Sequence, residues 1–170
     1  MTNKLYILCV IPFSGKTTLA KGIVDKLGFT RIDLDEVKFQ LFGNDITDPE
    51  IDEEGWNKVY KEMYRIIRQN LLEGKTIIHD TGNFTKRERS LVKKIADEVG
   101  VETTTIFVDI PPTEARKRLE SNRLTKERFD VADEDFYSTI KELEIPGDGE
   151  IHLIYNWTDS ADKWIEQNLR

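Results

Sequence analysis

The sequence predicts an α/β fold of three layers, with a five-stranded parallel sheet between two layers of helices. Two observations predict it. Short apolar runs alternate along the whole chain with longer segments whose apolar residues recur at helical spacing. The connections between successive strands are also long enough to hold a helix each, which parallel strands require. Ligands of such sheets bind beyond the carboxyl ends of the strands, so chemistry is expected in the residues that follow each strand.

The elements follow in order. The first strand is Lys4–Val10, an apolar run, and the first helix is Gly15–Leu27. A short second strand, Thr30–Asp33, leads directly into a helix from Leu34 to Phe42, which Gly43-Asn44-Asp45 ends. A polar loop runs through Pro49. The long helix Glu53–Glu73 carries Trp56, Val59, Tyr60, Met63, Ile66, Ile67 and Leu71 on one stripe, and Gly74 stops it. The third strand is Thr76–His79. Thr85 and Glu88 have the spacing of a capping box for a helix that ends at Gly100. The fourth strand, Thr103–Asp109, is bounded by Pro111-Pro112 and followed by a helix from Thr113 to Asn122. Another helix spans Asp133–Leu143, Pro146-Gly147-Asp148-Gly149 is a turn, the fifth strand is Glu150–Tyr155, and a last helix runs Asp159–Asn168.

The 170 residues suit one domain, 1–170, with 38 % apolar and 34 % charged residues, a globular rather than disordered balance. No apolar run is long enough to span a bilayer, so no membrane contact is expected. Met1-Thr2-Asn3-Lys4 lacks the layout of a signal peptide and Cys9 is the single cysteine, so no disulfide within the chain is possible and a cytoplasmic location is expected. A net charge of −7 disfavours nucleic acid as a partner of the whole surface, although the basic run from Arg116 to Arg128 leaves a local groove open. His79 and His152 are the only histidines, which argues against a histidine-based metal site.

Ser14-Gly15-Lys16-Thr17-Thr18 lies between the first strand and first helix, the setting in which a Gly-Lys-Thr loop wraps a nucleotide phosphate chain. Phe13 to Thr18 form the expected nucleotide-binding loop. Lys16 would reach the β- and γ-phosphates of ATP, and the Thr17 hydroxyl would ligate Mg²⁺. The blander alternative is that Ser14 only caps a surface helix. The first glycine of the full Gly-x-x-x-x-Gly-Lys-Thr pattern falls on Val10, whose β-branch disfavours positive φ, so the backbone there is either extended or altered.

Asp33-Leu34-Asp35-Glu36 follows the second strand. A hydroxyl attacking a γ-phosphate needs a carboxylate to take its proton, and Asp35 is assigned that role while Asp33 and Glu36 suit a helix cap. After the third strand, Asp80 is assigned to Mg²⁺ or to acceptor orientation, and Asn83 to substrate binding, with Gly82 permitting close backbone approach. His79 reads as a packed residue. Charge on a transferred phosphoryl group needs cationic donors. Arg123 is assigned to catalysis and Arg116 to the nucleotide, with Arg128 a further candidate and the direction of Arg118 left open. Trp157 either flanks a base or packs under the last helix.

Together these segments resemble the small P-loop kinases of the AAA_33 type, a group that includes the kinase domain of polynucleotide 5′-hydroxyl kinases and is similar to chloramphenicol phosphotransferase and zeta toxins. The resemblance rests on Pro12 to Ala20, Ile32 to Glu36, Ile78 to Phe84 and Pro111 to Arg123. It implies the P-loop NTPase fold with a mobile helical lid after the fourth strand, here about residues 113–132. It also implies the same roles for Lys16, Thr17, Asp35, Asp80 and the lid arginines. The expected function is ATP-dependent, Mg²⁺-assisted transfer of the γ-phosphoryl group to a hydroxyl of a small molecule or, less favoured, a nucleic-acid 5′ end. The alternative is a nucleotide-binding regulatory protein with little turnover, to which Val10 lends its support.

Overall fold

The computed structural model describes residues 2–169. Five strands, β1 (Lys4–Cys9), β2 (Thr30–Asp33), β3 (Ile77–Asp80), β4 (Glu102–Asp109) and β5 (His152–Asn156), form one parallel sheet in the order β2-β3-β1-β4-β5. Seven α-helices complete the described residues: α1 (Lys16–Leu27), α2 (Leu34–Phe42), α3 (Glu53–Leu72), α4 (Lys86–Glu98), α5 (Pro112–Thr125), α6 (Asp133–Glu142) and α7 (Ala161–Asn168). The chain fills the β2-β3 side of β1 before crossing to β4 and β5 on the other, so the crevice at the carboxyl ends of β1 and β3 is the topological switch point.

Both faces of β1 are buried, which is why it reads as a continuous apolar run rather than an alternating one. Tyr6, Leu8 and Val10 pack with Leu19 and Ile23 of α1 and Trp164 and Ile165 of α7. Leu5 and Ile7 pack on the opposite face with Val59, Met63 and Ile67 of α3 and Val92 and Ala96 of α4. Each large apolar side chain buried there contributes roughly 1.5–3 kcal/mol. A third, smaller cluster of Ile11, Ile110, Ala115, Leu119 and Phe136 joins α5 and α6 beyond the carboxyl edge of the sheet. It roots the segment expected to be the lid. No helix of the described residues is long and apolar enough to cross a membrane.

Element boundaries differ from the sequence expectation by a few residues. β5 starts at His152 rather than Glu150, because Glu150 is drawn inward by the buried Arg89. α5 continues to Thr125, where Lys126 closes it in a left-handed conformation. Arg89 holds Glu150 through two bonds of 2.7 and 2.9 Å, and also donates to the Asn83 and Phe84 carbonyls. One guanidinium thereby ties α4, the loop after β3 and the approach to β5.

His79 is fully buried in β3. Its Nδ1 lies 3.2 Å from Asn83 Nδ2, an amide donor, so Nδ1 accepts and the proton sits on Nε2, 3.3 Å from Met63 Sδ. Burial, then the Lys16 charge, lowers its pKa to about 3. A depressed histidine pKa gives stability that is complete above about 6.5 and declines as pH falls toward 3. We expect His79 to remove about 2 kcal/mol of unfolding free energy between pH 7.5 and pH 5. Urea unfolding of the protein and of His79→Gln at both pH values measures it: the variant's loss on acidification should be smaller by that amount. Equal losses would mean that the imidazole is not buried in its neutral form.

Candidate active site

The loop after β1 is fixed at its root. The Val10 amide donates to the Gly82 carbonyl at 3.0 Å, tying the exit of β1 to the loop that follows β3. The Val10 side chain points into the core and its backbone is not left-handed, so the non-glycine at this motif position introduces no strain. The left-handed residues are Phe13, at φ 61°, and Gly15, at φ 96°. Holding Phe13 there costs about 1–2 kcal/mol. Its ring packs against the cluster of Ile11, Ile110 and Leu119, which offsets that cost.

Gly15 rather than Ser14 caps α1, and no side chain bonds the first-turn amides. The Ser14 hydroxyl is 2 % exposed and has no partner among the described residues. Every other α-helix of the described residues has an acidic side chain in its first turn, and α1 has none. A helix end with free amides, a positive dipole and no carboxylate of its own suits an anion from solution.

Lys16 begins α1. Its ammonium lies 2.7 Å from Asp80 Oδ1 and donates to the Asp80 carbonyl at 3.2 Å. Asp80 is fully buried, and its other oxygen accepts from Arg31 Nε at 2.6 Å. Oδ1 is engaged by the Lys16 ammonium alone. Arg31 also pairs with Asp33 and, at 2.6 Å, with Glu36. Burial raises the Asp33 pKa, with the Lys16 charge opposing that rise. Lys16, Arg31, Asp33 and Asp80 are therefore one electrostatic group at the ends of β2 and β3. Arg31 had no assigned role in the sequence. Its signal was its spacing: two residues before Asp33, on the same face of a strand.

Asp33 caps α2, accepting from the Asp35 amide at 2.9 Å. That leaves the Asp35 carboxylate free of capping. It is 62 % exposed and 2.9 Å from Lys38, whose buried ammonium also meets Asp48 at 2.7 Å. Thr17 is the second residue of α1 and Thr18 is exposed beside it. Asn83, at φ 45°, spends its side-chain amide on the Leu8 carbonyl at 3.0 Å and on His79. Its donors thus hold the turn beneath the crevice.

Among the arginines of α5, the structure distinguishes positions that sequence spacing could not. Arg118 donates to the Ser14 carbonyl at 3.2 Å, and its guanidinium lies 5.6 Å from the centre of the Trp157 ring. Arg116 and Arg123 instead meet at Asp133, at 2.7 and 2.6 Å, and so fasten the start of α6. Asn122 brackets the segment beyond by exchanging two hydrogen bonds with the Arg128 backbone.

Two cavities open beyond the carboxyl ends of the strands, one against this loop and one against the residues that follow β2 and β3. One, of about 270 Å³, lies between Phe13, Gly15 and Thr18 and Arg118, Asn122 and Arg128. The other, of about 360 Å³, opens against α3 and the loop after β3, with Leu34, Trp56, Tyr60, Thr81 and Gly82 in its lining. The sequence places Trp56 and Tyr60 on the helical stripe of α3 and assigns them no role. They lie at the edge of the α3 stripe and, unlike Met63, are not fully buried.

Comparison with known proteins agrees with the fold. Kti12 from Chaetomium thermophilum, in complex with ADP-AlF3, superposes with a TM-score of 0.75 at 16 % identity, over 97 % of this chain and 96 % of that one. The Mycobacterium tuberculosis APS kinase CysC, in complex with AMPPNP and APS, gives 0.69 at 15 % identity, over 99 % and 96 %. A gluconokinase from Sinorhizobium meliloti gives 0.64 at 12 % identity, over 98 % and 89 %. These likenesses show a common fold. No curated protein matches the sequence. The family model AAA_33, an AAA domain, matches residues 5–146, and with a P-loop before α1 and a parallel five-stranded sheet behind it the chain belongs to that family and has the kinase-like P-loop NTPase fold.

Proposed function

We propose that this protein is an ATP-dependent phosphotransferase that moves the γ-phosphoryl group of ATP to a hydroxyl. The observation that carries the reading is the uncapped, acid-free first turn of α1 beside Lys16, with one cavity against its loop and a second at the residues that follow β2 and β3. One cavity suits the nucleotide and the other the acceptor. The nucleotides bound by Kti12 and by the APS kinase CysC support ATP as the donor.

Within that reading each residue has a task. Amides of the loop from Phe13 to Thr18 hold the phosphates, and Lys16 exchanges Asp80 for the β- and γ-phosphate oxygens. The Asp35 carboxylate receives the proton of the attacking hydroxyl. The acceptor oxygen then bonds to Pγ, and the bond from Pγ to the bridging oxygen breaks with its electron pair left on ADP. Arg118 leads the lid arginines, because it already lies against the phosphate loop, and it draws charge from the transferred group. Arg116 and Arg123 act on the same step by holding α6 against α5 through Asp133, and closure brings them nearer the phosphates.

The donor set fits Mg²⁺. Thr17 and Asp80 would hold it, and the buried Asp80 Oδ1, freed when Lys16 turns to the phosphates, is the oxygen that such an ion or its water would engage. Mg²⁺ takes few protein ligands and completes its shell with phosphate oxygens and water. It would supply charge neutralisation at the phosphates. The low-turnover alternative leaned on Val10, and a valine packed into the core no longer favours it.

Incubation with Mg·ATP and panels of nucleosides, oligonucleotides, sugars and amines, read by mass spectrometry for a phosphorylated product, tests the reading. Lys16→Ala should cut turnover by about 100-fold or more while the protein still melts cooperatively. An unchanged rate would remove Lys16 from the mechanism. Asp35→Asn should slow transfer by about 10²–10⁴-fold with ATP affinity unaltered, by calorimetry. Joint loss of ATP binding and transfer would assign Asp35 to the structure instead.

A further inference from the structure

The cavity on the acceptor side carries one sign of charge. Trp56, Tyr60 and Tyr64 follow one another at single-turn spacing along α3, with ring centroids 6.2 Å apart at both steps, and form one wall. Phe84 adds a fourth ring to the lining. The charged residues of the lining are Asp48 and Glu88, and among the described residues it includes no lysine, arginine or histidine. Lys38 does not neutralise the cavity, because its single charge is already shared between Asp48 and Asp35. Glu88 is held in place by Thr85, whose amide and hydroxyl both donate to one carboxylate oxygen at 3.0 Å. The negative field reaches the aromatic wall. Burial raises the pKa of the Tyr60 and Tyr64 hydroxyls, and the Glu88 charge raises both further.

Aromatic faces are themselves negative, so rings and carboxylates favour the same guest. Resting on the kinase reading above, we propose that the acceptor is an organic cation, a hydroxyl compound bearing an ammonium group on a ring-sized body. Its ammonium lies among Asp48, Glu88 and the α3 rings, and its hydroxyl faces the ends of β2 and β3. A volume of about 360 Å³ suits such a small molecule. A carboxylate, phosphate or sulfate on the acceptor meets two anions with no counter-charge in the wall, and is rejected by repulsion. In the transfer the ammonium is unchanged. The hydroxyl oxygen gains the phosphoryl group, its proton passes to Asp35, and ADP leaves with the electron pair.

Three compounds of matched shape test this: 2-amino-1-phenylethanol, 1-phenyl-1,2-ethanediol and mandelate. Each has the same ring and the same secondary hydroxyl, with an ammonium, a hydroxyl or a carboxylate beside it. Calorimetric titration of the full chain without nucleotide should give the amine the tightest binding, about 5–10-fold over the diol, and mandelate the weakest. High salt should shrink the difference. Asp48→Asn with Glu88→Gln should bring amine and diol level, and glutamine retains the helix cap. Equal affinities in the unmodified protein, a preference for mandelate, or no binding of any of the three would overturn the proposal. Failure of the kinase reading appears elsewhere, as absence of Mg·ATP binding or of ADP formation with every acceptor tried.

Discussion

A carboxylate with no solvent contact sits where β3 ends, and the surrounding architecture follows from keeping it charged. Asp80 is tolerable there only because cations from two other elements meet it: Lys16 from α1 and Arg31 from β2. Removing one partner of such a buried pair commonly costs about 3–5 kcal/mol, since the remaining charge is stranded. The same guanidinium holds Asp33 and Glu36. It therefore fixes how α2 starts, and with it the position of Asp35.

In the structure Lys16 rests on Asp80. In the proposed reaction a triphosphate would be its second anionic partner, and Arg31 would leave Asp80 with one cation after that exchange. The lid side is organised differently. Asp133 gathers Arg116 and Arg123 and so joins α6 to α5, while Arg118 bridges from α5 to the loop after β1 and lies over Trp157. Apolar packing of Phe136 against Ala115 and Leu119 makes that pair of helices one body.

Most of the fold was legible in the sequence. β1 is buried on both faces and so reads as one unbroken apolar run, and the Thr85–Glu88 capping box predicted the start of α4 to the residue. The phosphate loop was legible in outline. Its strained residue was not: the motif has a glycine where Val10 stands, whereas the left-handed backbone is at Phe13. A motif states which residues recur, and not which of them bears the dihedral strain.

The site was legible where chemistry is local and obscure where it depends on side-chain direction. Lys16, Asp80 and the capping role of Asp33 follow from position along the chain. The pairing of Arg31 with Asp80 crosses two strands, and the contact of Arg118, rather than Arg116 or Arg123, with the Ser14 carbonyl depends on the rotation of α5 about its axis. The inward stripe of that helix is narrow, Ala115, Leu119 and Asn122, with Arg118 on one flank and Arg116 and Arg123 on the other, so spacing alone does not rank the arginines. The aromatic wall was hidden for a related reason, since Trp56 and Tyr60 share the period of the core residues of α3. The most direct test is the Mg²⁺ dependence of ATP affinity, measured by calorimetry with and without the metal in the protein and in Asp80→Asn. If Asp80 organises the phosphate site, the metal's advantage should shrink by about 10-fold or more in the variant. An undiminished advantage in a folded Asp80→Asn protein would contradict it.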